Sequence, residues 1–274
     1  MSENFKNSLV LHGSKSEVAT LQKLIDLLGS VPTGKALLHQ VKEMYRQPPM
    51  QVEFNPLLSR FGKFKNGLNK VELLPFGEEA QKKFSTEENY DQYLVSVLGH
   101  ELEHAVTSPI YIRMIQNASS LQESMIALLL SEAVAFKTGF QLENELNGQV
   151  QVLSTEKKND HLRQALMGHG WAEDYVKEHG NFCEQAVEGL KKETPLEMPM
   201  TERQIIVAMQ KGRYPMPSNP SAEAFNEGIL SFLNIIGSDL SVQDVRAIHV
   251  SQKAATNLGA EQIQHLIQNR NPQH

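Results

Sequence analysis

The chain has 274 residues, of which 40 % are hydrophobic and 21 % charged, so it can bury the core of one large or two modest soluble domains. Its formal net charge of −6 and its pI near 5.9 give it no general attraction for nucleic acids or anionic membranes, and we expect neither as a partner. The single cysteine, Cys183, excludes an intrachain disulfide.

The first residues lack the basic start and the continuous apolar core of a secretory signal peptide, and no apolar run is long enough to span a bilayer. We therefore expect a cytoplasmic protein. Secretion without a leader, or injection into a host cell, would leave no pattern in the sequence. The sequence also gives no indication of oligomeric state.

The N-terminal half begins with a segment, 1–16, that we predict to be a polar arm. Apolar residues then recur at helical spacing over 17–47, and Gly29 and Pro32 interrupt them, which predicts two helices.

Two strands are predicted next, at Met50–Pro56 and Lys70–Phe76, because apolar and polar residues alternate there and β-branched residues are present. Gly62 and Asn66-Gly67 lie between them and are typical of turns. This pattern favours a hairpin with a long loop.

A capping-box pattern at Ser85–Glu88 predicts a helix that runs to about Val106 and is ended by Pro109. A second helix is predicted over 120–147, and the pattern stays helical beyond it. We therefore expect an α+β, predominantly helical protein with one mixed domain at 17–148. An all-helical region at 149–274 follows, and one core could serve both.

The predicted helix over 85–106 contains the sequence His100-Glu101-Leu102-Glu103-His104. Residues four apart lie on one face of a helix, so His100 and His104 can present two imidazoles to one cation. Glu101 follows the first histidine and lies beside that face, whereas Glu103 points away from it, and we expect Glu103 to be solvated or ion-paired. This H-E-x-x-H pattern is typical of zinc metallopeptidases. The simpler alternative is a core helix with two hydrogen-bonded histidines.

Glu132 is the predicted third zinc ligand, because it is a carboxylate within the apolar run 125–136 and needs a partner there. Small residues around it, including Gly139, would let the two helices approach closely. Its alternative is a hydrogen bond between helices. The rival ligands, which we expect to lie in solvent or in separate polar segments, are Glu123, Glu143, Glu145, His161 and His169.

The chain resembles gluzincin-like zinc metallopeptidases over about 28–148. The resemblance rests on the His100–His104 motif and on Glu132-Ala-Val-Ala-Phe136. It also rests on Val31–Val41, which is similar to the helix that opens small bacterial metallopeptidase domains, some of them delivered into host cells. It implies that the domain at 17–148 is zincin-like, with a short strand pair before the motif helix. It also implies that His100, His104 and Glu132 bind Zn²⁺ and that Glu101 is the general base.

The chain departs from known patterns at three points. No third histidine follows His104 at the spacing of metzincins. Phe136 and Lys137 occupy the neighbourhood where thermolysin-like enzymes have an aspartate. In addition, no residue is securely placed to stabilise an oxyanion. The residues available for that role are Tyr111, His161, His169 and Tyr214.

The leading functional hypothesis is a metallopeptidase that hydrolyses peptide bonds of a protein or peptide substrate through a zinc-activated water, with Glu101 as general base. A di-iron bundle would need a second E-x-x-H unit, and the sequence has none. The remaining alternative is a non-catalytic helical interaction protein with a structural or degenerate metal site.

Overall fold

The computed structural model describes residues 8–58, 60–65, 68–119, 121–148, 154–166 and 220–247. Its strands are β1 Leu9–His12, β2 Met50–Phe54, β3 Gly62–Lys65 and β4 Lys70–Leu73. Its helices are α1 Lys15–Leu28, α2 Pro32–Met44, α3 Glu78–Gln81, α4 Glu87–Asn117, α5 Leu121–Leu146, α6 Thr155–Leu166, α7 Ala222–Ile236 and α8 Val242–Ala247. The predicted α+β, predominantly helical class is confirmed.

The chain divides into two compact units. The first comprises Met1–Pro109 and Val134–Val152, and the second comprises Ile110–Ala133 and Leu153–His274. Two of the three division points fall inside long helices, one in α4 and one in α5. The domain boundary that the sequence suggested at residue 148 stays a prediction.

The four strands form one sheet in the order β1-β2-β4-β3. The two strands predicted from the sequence are present, but the predicted hairpin between them is wrong. β2 and β4 run parallel, with Val52 beside Val71, and the antiparallel partner of β4 is β3. Alternating residues locate a strand without stating its pairing direction, and the supposed loop contained an edge strand.

The polar arm predicted for 1–16 is also wrong where the structure describes it. Leu9–His12 forms β1, which pairs in parallel with β2, and Leu9 is buried. Ser14 then caps α1 in a capping box with Glu17. The short apolar run of β1 supplies enough buried surface to join the sheet, although its polar surroundings suggested otherwise.

Helix α4 is longer than predicted, because it continues through Pro109 to Asn117. A proline inside a helix has no N–H for the carbonyl four residues earlier, here that of Ala105. The Tyr45 hydroxyl donates to the Ala105 carbonyl oxygen at 2.8 Å, which satisfies it in another way. The cap is also one residue later than predicted, since Thr86 Oγ1 accepts from the Asn89 N–H.

α4 and α5 pack closely in the first unit, as the small residues of the sequence predicted. A Cβ at Gly99 would overlap Leu142 Cδ1, and a Cβ at Gly139 would lie 3.3 Å from the Ser96 carbonyl oxygen. The helical glycine at Gly99 costs about 1 kcal/mol in helix propensity, which this close contact offsets. Leu142 joins the core built by α1, α2, the sheet and α4.

Candidate metal centre

The two histidines of the motif contact each other on α4. His100 Nε2 and His104 Nε2 are 3.1 Å apart, and their rings meet edge to face with centroids separated by 4.8 Å. At this distance the two nitrogens can share a hydrogen bond, with roles set by the tautomers, or both can bind one cation. Neutral imidazole nitrogen is the form that binds a metal.

Glu132 of α5 joins this pair, as the sequence predicted. One ligand atom from each of His100, His104 and Glu132 lies within 4.8 Å of the other two. Glu132 is buried, and the two histidines are partly exposed. The three side chains could therefore hold a metal ion.

The donor set fits zinc. Two imidazole nitrogens and one carboxylate oxygen are common zinc ligands, with bonds of about 2.0–2.2 Å. Two nitrogens on a tetrahedral zinc lie about 3.3 Å apart by this geometry, close to the 3.1 Å between His100 and His104. The buried carboxylate of Glu132 adds the negative charge that a dication favours.

Phe136 packs against His100 from the next turn of α5. The ring centroids are 4.6 Å apart at an interplanar angle of 76°, and Phe140 stacks on Phe136 at 6.1 Å. The position where thermolysin-like enzymes have an aspartate is thus occupied by an aromatic edge-to-face contact. That contact restricts the orientation of the His100 ring.

Glu101 lies outside the three-residue group and faces the sheet. Its side chain is 8 % exposed, and its Oε2 accepts the backbone N–H of Phe64 in β3 at 2.7 Å. A carboxylate near a metal ligand but not itself part of the ligand group can act as a base. Gly62, also in β3, lets the strand lie directly against this side chain.

Glu103 is not solvated, contrary to the expectation from its position on the helix. It is buried, and its Oε2 accepts the Thr138 hydroxyl of α5 at 3.0 Å. Burial raises the pKa of the Glu103 carboxyl, and the hydrogen bond from Thr138 offsets part of that increase. The expectation failed because α4 is covered by α5 on the side that a single-helix view leaves open.

Glu123 was also expected in solvent, and this was wrong. It is 8 % exposed, its Oε1 lies 2.8 Å from Arg246 Nη1, and its Oε2 accepts the backbone N–H of Ser119. Burial opposes ionisation of Glu123, but these bonds to Ser119 and Arg246 outweigh it and lower its pKa. In the second unit it therefore forms an ion pair with Arg246, whose side chain is partly exposed.

Of the other rivals, Glu143 is exposed as expected. Glu145 is partly buried instead, and it accepts both the backbone N–H and the hydroxyl of Thr33 at the start of α2. His169 lies outside the described residues, and the side chain of His161 is not described.

The oxyanion role stays unassigned. Tyr111 is buried on α4 at 4 % exposure. Tyr214 and Cys183 lie, like His169, outside the described residues.

Sequence reasoning missed the contact between β3 and Glu101. The donor is a backbone group, which carries no side-chain signal. Gly62 was the one signal in the sequence. A glycine within a short alternating segment can mark a close approach of the backbone, but Gly62 was interpreted as a turn residue.

The chain matches no protein-family model, no curated protein and no solved structure. Within the described residues, no helix combines the length and apolar character needed to cross a membrane.

Proposed function

We propose that this chain is a zinc-dependent metallopeptidase in which His100, His104 and Glu132 hold the zinc and Glu101 is the general base. The proposal rests mainly on one observation: two histidines and a buried glutamate from α4 and α5 offer three ligand atoms within 4.8 Å of one another. Glu101, which lies on the same turn of α4 as the two histidines, remains outside that group.

The number of ligands supports a catalytic site. Catalytic zinc sites use three protein ligands, whereas structural sites are closed by four. In the part of the chain that the structure describes, the group has three members, and both histidines are partly exposed. Solvent can therefore reach the two histidines.

A bound zinc would supply Lewis-acid chemistry, which polarises a carbonyl and lowers the pKa of a water. His100 and His104 would bind through their ring nitrogens, and Phe136 would restrict the His100 ring. Glu101 accepts a proton from the attacking water as the new carbon–oxygen bond forms. It then gives that proton to the leaving nitrogen as the carbon–nitrogen bond breaks, so the products are a carboxylate and an amine.

The test is hydrolysis of an unstructured protein by the purified chain, followed by mass spectrometry of newly formed termini. The chain is first stripped with a chelator and then supplied with Zn²⁺ or Mg²⁺. We expect turnover with Zn²⁺ and none with Mg²⁺, which prefers oxygen ligands in octahedral geometry.

Two outcomes contradict the proposal in different ways. If the chain binds zinc stoichiometrically but forms no new termini from a broad set of peptides, the site is structural or degenerate, and a non-catalytic interaction protein is the better account. If it binds no zinc, the metal centre itself is rejected.

A further inference from the structure

We propose that strand β3 positions the general base: the backbone N–H of Phe64 orients the Glu101 carboxylate, and Gly62 lets the strand lie close enough to do so. This inference deepens the proposed peptidase function and rests on it. It assigns a role to a strand that contributes no ligand to the metal group.

The hydrogen bond uses the outer edge of the strand. Just before β3, the Phe61 carbonyl accepts from the N–H of Leu74, the residue directly after β4, and the backbone groups of successive residues point alternately toward and away from the partner strand. The Phe64 N–H, three residues further on, therefore points away from β4. It is directed to Glu101 Oε2 at 2.7 Å, so it is available to the base without weakening the sheet.

Gly62 explains why the strand can reach the helix. A Cβ at this position would lie 2.5 Å from Val97 Cγ1, 3.0 Å from Glu101 Cγ and 3.1 Å from Glu101 Oε1. The first of these distances is a clear overlap. The backbone of β3 thus lies directly against the Glu101 side chain, and one carboxylate oxygen is held by a hydrogen bond.

The strand is itself held at both ends. Before it, the Phe61 ring packs on Phe84 and Tyr93 with centroids at 6.1 and 5.1 Å. At its other end, Lys65 Nζ lies 2.5 Å from Glu72 Oε1 in β4. These contacts fix the position of the Phe64 N–H relative to the first turn of the zinc motif.

Such a fixed donor has a chemical consequence. A base is efficient only when its proton-accepting oxygen is within hydrogen-bond reach of the reacting water, and a displacement of about 1 Å can cost about 100-fold in rate. A free glutamate side chain samples several rotamers. A hydrogen bond to Oε2 selects one of them and leaves Oε1 to receive the proton.

The test uses two variants of one residue. Phe64→Pro removes both the side chain and the N–H, and a proline is tolerated on an edge strand where the N–H faces away from the sheet. Phe64→Ala removes the side chain and keeps the N–H. We expect Phe64→Pro to lower kcat by about 10- to 100-fold relative to Phe64→Ala, with KM within about threefold and zinc content unchanged.

A double-mutant comparison ties the effect to Glu101. In a Glu101→Gln background, Phe64→Pro should lower the residual kcat by less than about threefold, because the group that it positions is already impaired. An equal effect of Phe64→Pro in both backgrounds would overturn the positioning role. Equal kcat values for Phe64→Pro and Phe64→Ala would do the same.

A second readout does not depend on turnover. In the ¹⁵N-labelled full chain, the Phe64 amide proton should resonate downfield, and its exchange with solvent should accelerate at least about tenfold in Glu101→Ala but not in Thr138→Val. An amide signal unaffected by Glu101→Ala would reject the contact. If the zinc-loaded wild type hydrolyses no peptide, the proposed function fails, and with it the catalytic role of β3, while the amide measurement still decides whether β3 holds Glu101.

Discussion

Two glutamates on one turn of α4, Glu101 and Glu103, have different hydrogen-bond partners on the two sides of the helix. On the side facing the sheet, Glu101 accepts a backbone N–H from β3. On the side facing α5, Glu103 accepts the hydroxyl of Thr138, and burial raises its pKa. Both side chains are 8 % exposed, so burial alone does not separate them. The comparison teaches that the partner of a buried carboxylate distinguishes it from its neighbour, and our proposal assigns the sheet side to turnover and the α5 side to stability.

The sharpest test of that division is Glu101→Gln. We expect kcat to fall by about 10²- to 10⁴-fold, the range typical of a lost general base, while zinc content stays the same. Glu103→Gln is the matched control, because it makes the same chemical change two residues away and should keep kcat within about tenfold. Similar losses of kcat in both variants would show that the two glutamates do not have separate roles.

On the α5 side, Thr138→Val should lower stability and spare turnover. The change keeps the shape of the side chain but removes the hydrogen bond to the buried Glu103, which costs about 2 kcal/mol in the free energy of unfolding. Urea denaturation measures this cost, and peptide hydrolysis below the unfolding transition measures turnover. A large fall in kcat without a loss of stability would place Glu103 with the catalytic groups instead.

A third contact of α4 should also affect stability alone. Tyr45→Phe removes the donor that satisfies the Ala105 carbonyl, and we expect a cost of about 1 to 2 kcal/mol. Pro109→Ala restores an N–H at the position that normally bonds this carbonyl. Tyr45→Phe should therefore cost clearly less in the Pro109→Ala background, and an undiminished cost in a denaturation experiment would show that Tyr45 acts in another way.

The smallest expected effect concerns pH and the support of β3. Burial alone would raise the pKa of Glu72, but hydrogen bonds from Lys65 and Asn55 outweigh it and hold the pKa below its ordinary value of 4.5. Because the folded-state pKa is lowered, this stabilisation is complete above the unfolded-state pKa and is lost as the pH falls through the folded-state value. Glu72→Gln should cost about 1 kcal/mol at neutral pH. That difference should shrink below about pH 4.5, as measured by denaturation at a series of pH values. A difference that grows on acidification would contradict this account.

The sequence predicted well the features that depend on spacing along one element. The four-residue spacing of His100 and His104 and the isolated charge of Glu132 in an apolar run were sufficient to predict the group that the structure brings together. The positions of β2 and β4 were likewise visible in the alternation of residues, whereas β1 and β3 were missed. None of these predictions needed the position of another element.

Prediction from the sequence failed where the surroundings of a residue depended on a neighbouring element. Glu103 and Glu123 are charged residues that one helix alone would place in water, but Thr138 and Arg246 come from other segments to meet them. The helix was predicted to end at Pro109 because the compensating donor, Tyr45, lies far away in sequence and could not be foreseen. The parallel pairing of β2 and β4 was not predicted for the same reason.

The central claim is that α4 and α5 form a zinc site, and the zinc content of the purified chain tests it most directly. After equilibration with zinc and removal of the excess, the account predicts about one zinc per chain in the wild type and in His39→Ala, an exposed histidine on α2 that serves as the control. It predicts that zinc is nearly absent in His100→Ala. Retention of zinc by His100→Ala, or its absence from the wild type, would contradict the account.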